Sequence, residues 1–210
     1  MALAAVASVA GYFYWKSFED TPQYSLALLV DAARKDDQAA VQQLVDTDAV
    51  VEAFIPQVTE KAAGLYGRGL PKDVLSRLSF VARPLMPAIK ERAKAELPRL
   101  IRKETDRFSH VPFAGFVLGA DQYLLIDVKG ETATVRSNLP EHSFEVKMLR
   151  SGSRWKIVSV TDDDLSTRIA QAIGQEIIGI AASGELTRAG ERLGVENLQD
   201  LIRQAEAIFE

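Results

Sequence analysis

The stretch QYLLIDVKGETATVRSNLPEHSFEVKMLRSGSRWKIVSV, residues 122–160, decides the fold. It holds four strand-length runs, QYLLIDV, TATVRS, HSFEVKML and RWKIVSV, each rich in β-branched or aromatic residues. Between them stand Lys129-Gly130, Asn138-Leu139-Pro140 and Ser151-Gly152-Ser153, residue types that close tight turns. Short turns join antiparallel neighbours, so the spacing predicts an antiparallel meander of three or four strands. In the last strand, alternation puts Trp155, Ile157 and Ser159 on one face and Lys156, Val158 and Val160 on the other. The apolar face of such a sheet has to be covered by helices.

Those helices are written upstream. Thr21-Pro22 is a helix start, a capping residue followed by proline at the first helical position, and Tyr24, Ala27, Leu28 and Asp31 follow at helical spacing. Lys35-Asp36-Asp37 breaks that helix, and Asp36 or Asp37 can cap a second one carrying Val41, Leu44 and Val45. Beyond Asp46-Thr47-Asp48 a third helix is predicted, with Val50, Val51, Phe54, Ile55 and Val58 as its stripe, kinked or shortened by Pro56. GLYGRGLPKD, residues 64–73, reads as a loop or hinge. From Asp73 to Phe108 apolar residues recur every three or four positions, and Pro84, Pro87 and Pro98 predict two or three helical pieces meeting at bends.

Downstream of the strands, Asp162-Asp163-Asp164 opens another helix, and a last one is predicted from about Asn197 to Phe209. The class is therefore α+β: N-terminal helices, a three- to four-stranded antiparallel meander, then C-terminal helices. The organisation expected is an apolar N-terminal element over 1–18, an α+β domain over 19–164 with a helical insertion at 70–108, and a helical extension over 165–210.

Composition excludes several classes of function. A chain of 210 residues with 47% hydrophobic content can bury a core, and a net charge of −4 argues against a general nucleic-acid binder. Without cysteine there is no disulfide framework, thiolate nucleophile or cysteine-type zinc site. The total conceals an imbalance, because residues 68–107 carry eleven Lys or Arg against five Asp or Glu, a net of +6 that leaves −10 elsewhere. The dense part holds Lys90, Arg92, Lys94, Arg99, Arg102, Lys103 and Arg107, of which Arg92, Arg99, Arg102, Lys103 and Arg107 are the candidates for a binding surface. They read either as a basic face for an anionic membrane surface or an acidic protein partner, or as a solvated amphipathic helix whose Glu91, Glu96 and Glu104 lie among the bases.

The N-terminal run MALAAVASVAGYFYWKSF is uncharged from Ala2 to Trp15. A signal peptide would need a basic segment ahead of it, and a spanning helix about 20 apolar residues where this run has 14. Its downstream end nevertheless has the order of a membrane exit: Tyr12, Phe13, Tyr14 and Trp15, then Lys16, then Glu19 and Asp20. We read it as the downstream part of a membrane anchor, the alternative being an apolar helix docked on the domain.

Helices followed by a meander ending in SRWKIVSV resemble the cystatin-like or nuclear-transport-factor-2-like α+β cone, in which a curled sheet often leaves a pocket against its helices. More specifically, TPQYSLALLVDAARKDDQAAVQQLVDTDAV resembles the start of a bacterial family known only as domain of unknown function 2939. The resemblance lies in a Thr-Pro-x-Tyr entry, a helix, a charged break and the pair Val45-Asp46, good over Thr21 to Val51 and looser over Tyr123 to Val160. It implies a membrane-anchored protein of the bacterial envelope, periplasmic or extracytoplasmic, and it implies no activity.

Few residues suggest chemistry. No G-x-S-x-G, H-E-x-x-H or phosphate-binding glycine loop occurs, so no cofactor or metal is expected. Of the two histidines, His142 beside Glu141, with Arg136 and Tyr123 on the same sheet, is the enzymatic candidate. Adjacent strand residues point to opposite faces, however, and His142 next to the Asn138-Leu139-Pro140 turn reads as a surface residue. Tyr123, Phe144 and Trp155 could line a site for a small apolar ligand, or simply be core. The expectation is a tethered, non-catalytic envelope domain binding a lipid-like ligand or a protein partner. The alternatives are a cone-fold enzyme using His142 and a structural subunit of an envelope complex.

Overall fold

A computed structural model describes residues 16–66, 72–108, 110–139 and 142–183. The apolar run up to Trp15, part of the 64–73 segment and the helix expected near Asn197 lie outside these residues. Six helices are described: α1 (Pro22–Arg34), α2 (Gln38–Leu44), α3 (Thr47–Tyr66), α4 (Lys72–Thr105), α5 (Phe113–Tyr123) and α6 (Asp163–Ser183). Between α5 and α6 stand β1 (Leu124–Lys129), β2 (Thr132–Ser137), β3 (Phe144–Ser151) and β4 (Arg154–Asp162). They form one antiparallel sheet in the order β1-β2-β3-β4, so the class is α+β with a four-stranded meander.

The described residues divide into two compact units, one formed by those up to 53 and by 97–162, the other by 54–96 and those from 163 on. The first contains the sheet. Its hairpins β1–β2 and β3–β4 each turn on two residues, Gly130-Glu131 and Gly152-Ser153, with the glycine at positive φ, 61° and 63°. Glycine first and an ordinary residue second is the pattern of a turn whose twist matches the strands it joins.

Register explains the core. Ile126, Val135, Val146 and Val160 lie opposite one another across the four strands, and Val128, Ala133, Met148 and Ile157 form the next row. Against these rows pack Leu29 and Ala32 of α1, Val41 and Leu44 of α2, then Val45 and Val50. The other face carries Arg136 opposite Glu145, with Nε to Oε2 at 2.7 Å, and Thr134 opposite Lys147, residues suited to water.

The alternation read from the sequence fails in β4. Met148 pairs with Ile157 and Lys147 with Ser159, so Val158 is an extra residue, a β-bulge. The bulge shifts the phase by one, and Val160 joins Trp155 and Ile157 at the core instead of facing away from them.

Helix boundaries follow local chemistry. Thr21 caps α1, its Oγ1 accepting from the N–H of Tyr24 at 3.4 Å. At the break, Asp37 caps α2 through Ala40 N–H at 3.0 Å, while Asp36 takes the left-handed conformation, φ 55°, that ends α1. Asp46 caps α3 through Ala49 N–H at 3.1 Å.

Three expectations are corrected. α3 is not shortened by Pro56 and runs on to Tyr66. α4 is one helix of 34 residues that includes Pro84, Pro87 and Pro98 rather than two or three pieces. Each proline removes one backbone donor while the flanking turns keep theirs, and a long helix survives that loss. Residues 113–123 form α5, so Gln122 and Tyr123, expected to begin the first strand, end a helix instead.

The second unit is described through α3 beyond Phe54, α4 up to Glu96, and α6. Lys61 Nζ lies 2.6 Å from Asp163 Oδ2, and Tyr66 donates to the carbonyl of Gln171 at 3.3 Å, so α3 and α6 are neighbours there. Asp163 and Asp164 occupy the first turn of α6, where carboxylates suit the helix dipole.

Candidate functional site

The three aromatic candidates do not converge. Trp155 is 2% exposed, with its indole Nε1 donating to the carbonyl of Asp20 at 2.8 Å. Phe144 pairs with Asp162, whereas Trp155 pairs with Arg150, six positions further along β3. At the rise of a strand that is a separation of about 20 Å, too far for one pocket. Tyr123 ends α5 and is 55% exposed. Trp155 is a core residue with a polar handle, and neither of the other two adjoins it.

Three of the basic residues are engaged with acids. Arg92 Nη2 lies 3.3 Å from Glu96 Oε1, Lys94 Nζ 2.8 Å from Glu91 Oε1, and Arg102 Nη1 3.0 Å from Asp36 Oδ1. Arg99 and Lys103 belong to α4, and Arg107 to the turn of 3-10 helix at Asp106–Phe108 that follows it. Paired, exposed charges of this kind describe a solvated helix surface better than a concentrated cation site.

His142 lies outside the strands, exposed, with its N–H donating to the carbonyl of Leu139. Its imidazole has no hydrogen bond or ion pair among the described residues. Arg136 is committed to Glu145. Nothing described orients the imidazole for proton transfer. Among the described residues, no group of three or more His, Asp or Glu side chains converges on a metal position.

Two arrangements escaped the sequence reading. The first is the entry of the chain into the domain. Glu19 donates its N–H to Lys16, and Thr21 Oγ1 bonds the carbonyl of Phe18 at 2.6 Å. The carbonyl of Glu19 accepts from Arg154 Nη1 at 3.2 Å and that of Asp20 from Trp155, while Arg150 stands 5.9 Å from the indole centroid and 3.9 Å from the Asp20 carboxylate. Tyr24, the last residue of the Thr-Pro-x-Tyr entry, meets Phe113 edge to face at 5.3 Å and lies under Arg154 at 5.1 Å. Arg34 Nη2 reaches from α1 to the carbonyls of Phe108 and Val111, the latter at 2.8 Å.

The second is an asymmetry between the edges of the sheet. The edge of β4 is covered: Trp155 N–H donates to Ser25 Oγ at 3.0 Å, Asp46 N–H donates to the carbonyl of Ile157 at 2.8 Å, and Val45 bridges Ile157 in parallel. The opposite edge, β1, carries no such cover among the described residues. Around it stand exposed apolar side chains, Leu118 and Tyr123 from α5, then Leu125 and Val128. The only signal in the sequence is the run LLIDVK itself, apolar for an exposed edge.

Compared with protein-family models, curated proteins and solved structures, the chain matches none. Among the described residues no helix is long and apolar enough to cross a membrane. The motif residues that suggested a family, Thr21, Tyr24, Val45 and Asp46, serve here as caps, ring contacts and edge cover.

Proposed function

We propose that the protein is a membrane-tethered, non-catalytic domain of the bacterial envelope that takes an extended segment of a protein partner along β1. The observation that carries the binding part is the contrast between the two edges. An open edge presents a row of unpaired N–H and C=O groups, and proteins generally cover or disrupt it. Here β4 is covered by Ser25, Val45 and Asp46, whereas among the described residues nothing covers β1 beside Leu125, 55% exposed, and Val128, 48% exposed. Main-chain bonds from an added strand supply affinity, and side chains on alternate positions supply selectivity. Asp127 and Lys129 on the same strand disfavour a purely apolar partner.

The tether is supported by the chemistry of Ala2 to Trp15, and the envelope address by the resemblance over Thr21 to Val51. A lipid-like ligand between sheet and helices loses its support with the separation of Phe144 from Trp155. The enzymatic reading loses its own with the isolation of His142.

A photo-crosslinking amino acid at Leu125, compared with one at Leu149 on interior strand β3, tests the edge. Leu149 is similarly exposed, at 46%, but lies on a strand bonded on both sides. In native membranes the Leu125 probe is expected to give a discrete adduct with another protein, and the Leu149 probe none. No adduct at Leu125, or the same adducts from both positions, would refute edge binding.

A further inference from the structure

The two hairpin turns, Gly130-Glu131 and Gly152-Ser153, lie at one end of the meander, and the connection from Asn138 to Ser143 lies at the other. Arg150 N–H donates to the carbonyl of Glu131 at 2.8 Å and so ties the end of β3 to the first turn. That end also receives the N-terminal segment, because Arg154 and Trp155, just beyond the second turn, hold the carbonyls of Glu19 and Asp20. Residues 16–18 are helical, and Glu19 and Asp20 turn directly into the cap of α1.

Covalent geometry then limits how far the hairpin end can be from the aromatic group Tyr12 to Trp15. The four residues from Trp15 to Glu19 span at most about 14 Å when fully extended, and less where the chain is helical. Rings of this kind at the end of an apolar run settle at the headgroup level of a bilayer. The geometry points to the hairpin end of the sheet as the surface that meets phospholipid headgroups, with the Asn138–Ser143 end directed away from them. This rests on the tether proposed above and adds to it a fixed orientation.

The side chains at this end suit the position. Lys16, Lys129, Arg150 and Arg154 stand at this end beside Glu19, Asp20, Asp127 and Glu131, so it carries both signs of charge, as a zwitterionic headgroup layer does. β3 from Phe144 to Ser151 places the two ends roughly 23 Å apart, beyond the depth over which a headgroup-linked probe acts. The clamp on Glu19 and Asp20 makes the orientation a property of the fold, since the exit is held by three side chains of the β3–β4 hairpin.

The chain contains no cysteine, which makes the test clean. Ser153→Cys in the second turn and Ser143→Cys at the opposite end, both exposed, each take one fluorophore. The full chain is reconstituted in phosphatidylcholine vesicles containing a lipid with a nitroxide on its headgroup. The Ser153 probe is expected to lose most of its emission, and the Ser143 probe to keep it. Equal quenching at both sites, or stronger quenching at Ser143, in a chain that floats with the vesicles overturns the orientation alone. A chain that does not float with the vesicles overturns the tether and the orientation with it.

Discussion

Trp155 and Asp20 are joined by a hydrogen bond from the indole Nε1 to the main-chain carbonyl, 2.8 Å long and 135 residues apart in sequence. One residue thereby belongs to two systems. Its ring fills the core between the sheet and α1, and its polar edge fixes the chain just before that helix begins. The core of the first unit and the direction of its N-terminal segment are set by the same side chain.

Separating the two roles gives a first prediction. Trp155→Phe keeps an aromatic ring but removes the donor, and should lower stability by about 1–2 kcal/mol. Trp155→Ala removes the ring as well and should cost about 3–5 kcal/mol. Urea unfolding followed by circular dichroism measures both, and equal losses would show that the ring's packing is not what matters.

Ser25 is 1% exposed and accepts from the main-chain N–H of Trp155 at 3.0 Å. Ser25→Ala leaves a buried donor without its acceptor, which costs about 1–3 kcal/mol. It also uncovers part of the β4 edge, so the variant should aggregate earlier on heating. Ser143→Ala, at an exposed position, is the control and should stay within about 0.5 kcal/mol of the parent in the same urea titration.

Asp46 accepts from Ala49 N–H and thereby caps α3. Asp46→Ala should destabilise by about 1 kcal/mol, and Asp46→Asn should recover most of that, because asparagine caps about as well as aspartate. An Asn variant as unstable as the Ala variant would assign the effect to charge instead of the cap.

Arg102 pairs with Asp36 while both side chains remain more than half exposed. Arg102→Ala should therefore change stability by less than about 1 kcal/mol, with little dependence on salt. A larger loss that vanishes in high salt would restore the basic residues of α4 as a cooperative charge site.

What could be read from the sequence was local. Turn glycines, the caps at Thr21, Asp37 and Asp46, and the strand runs each declare themselves within four residues, and the α+β class follows from their order. What could not be read depends on partners distant in sequence. The bulge at Val158 is invisible in RWKIVSV, since only the pairing of Met148 with Ile157 shows that a residue is extra. Phe144 and Trp155 look like neighbours on adjacent strands, but antiparallel register carries them to opposite ends of the hairpin. α5 carries only a faint signal: Val117 and Ala120, both buried, are three residues apart, a helical spacing in a run whose small residues give no strand alternation. Among the described residues, the two edges of the sheet differ through Ser25, Val45 and Asp46, which no strand pattern includes.

The most direct test of the account is whether the apolar run holds the protein to a membrane. Val6→Arg and Val9→Arg together place two charges in it, each costing about 2.5–3.5 kcal/mol at the centre of a bilayer. After alkaline carbonate extraction of membranes, the parent chain is predicted to remain in the membrane fraction and the double variant to be released. Release of both, or retention of both, would contradict a membrane-held domain.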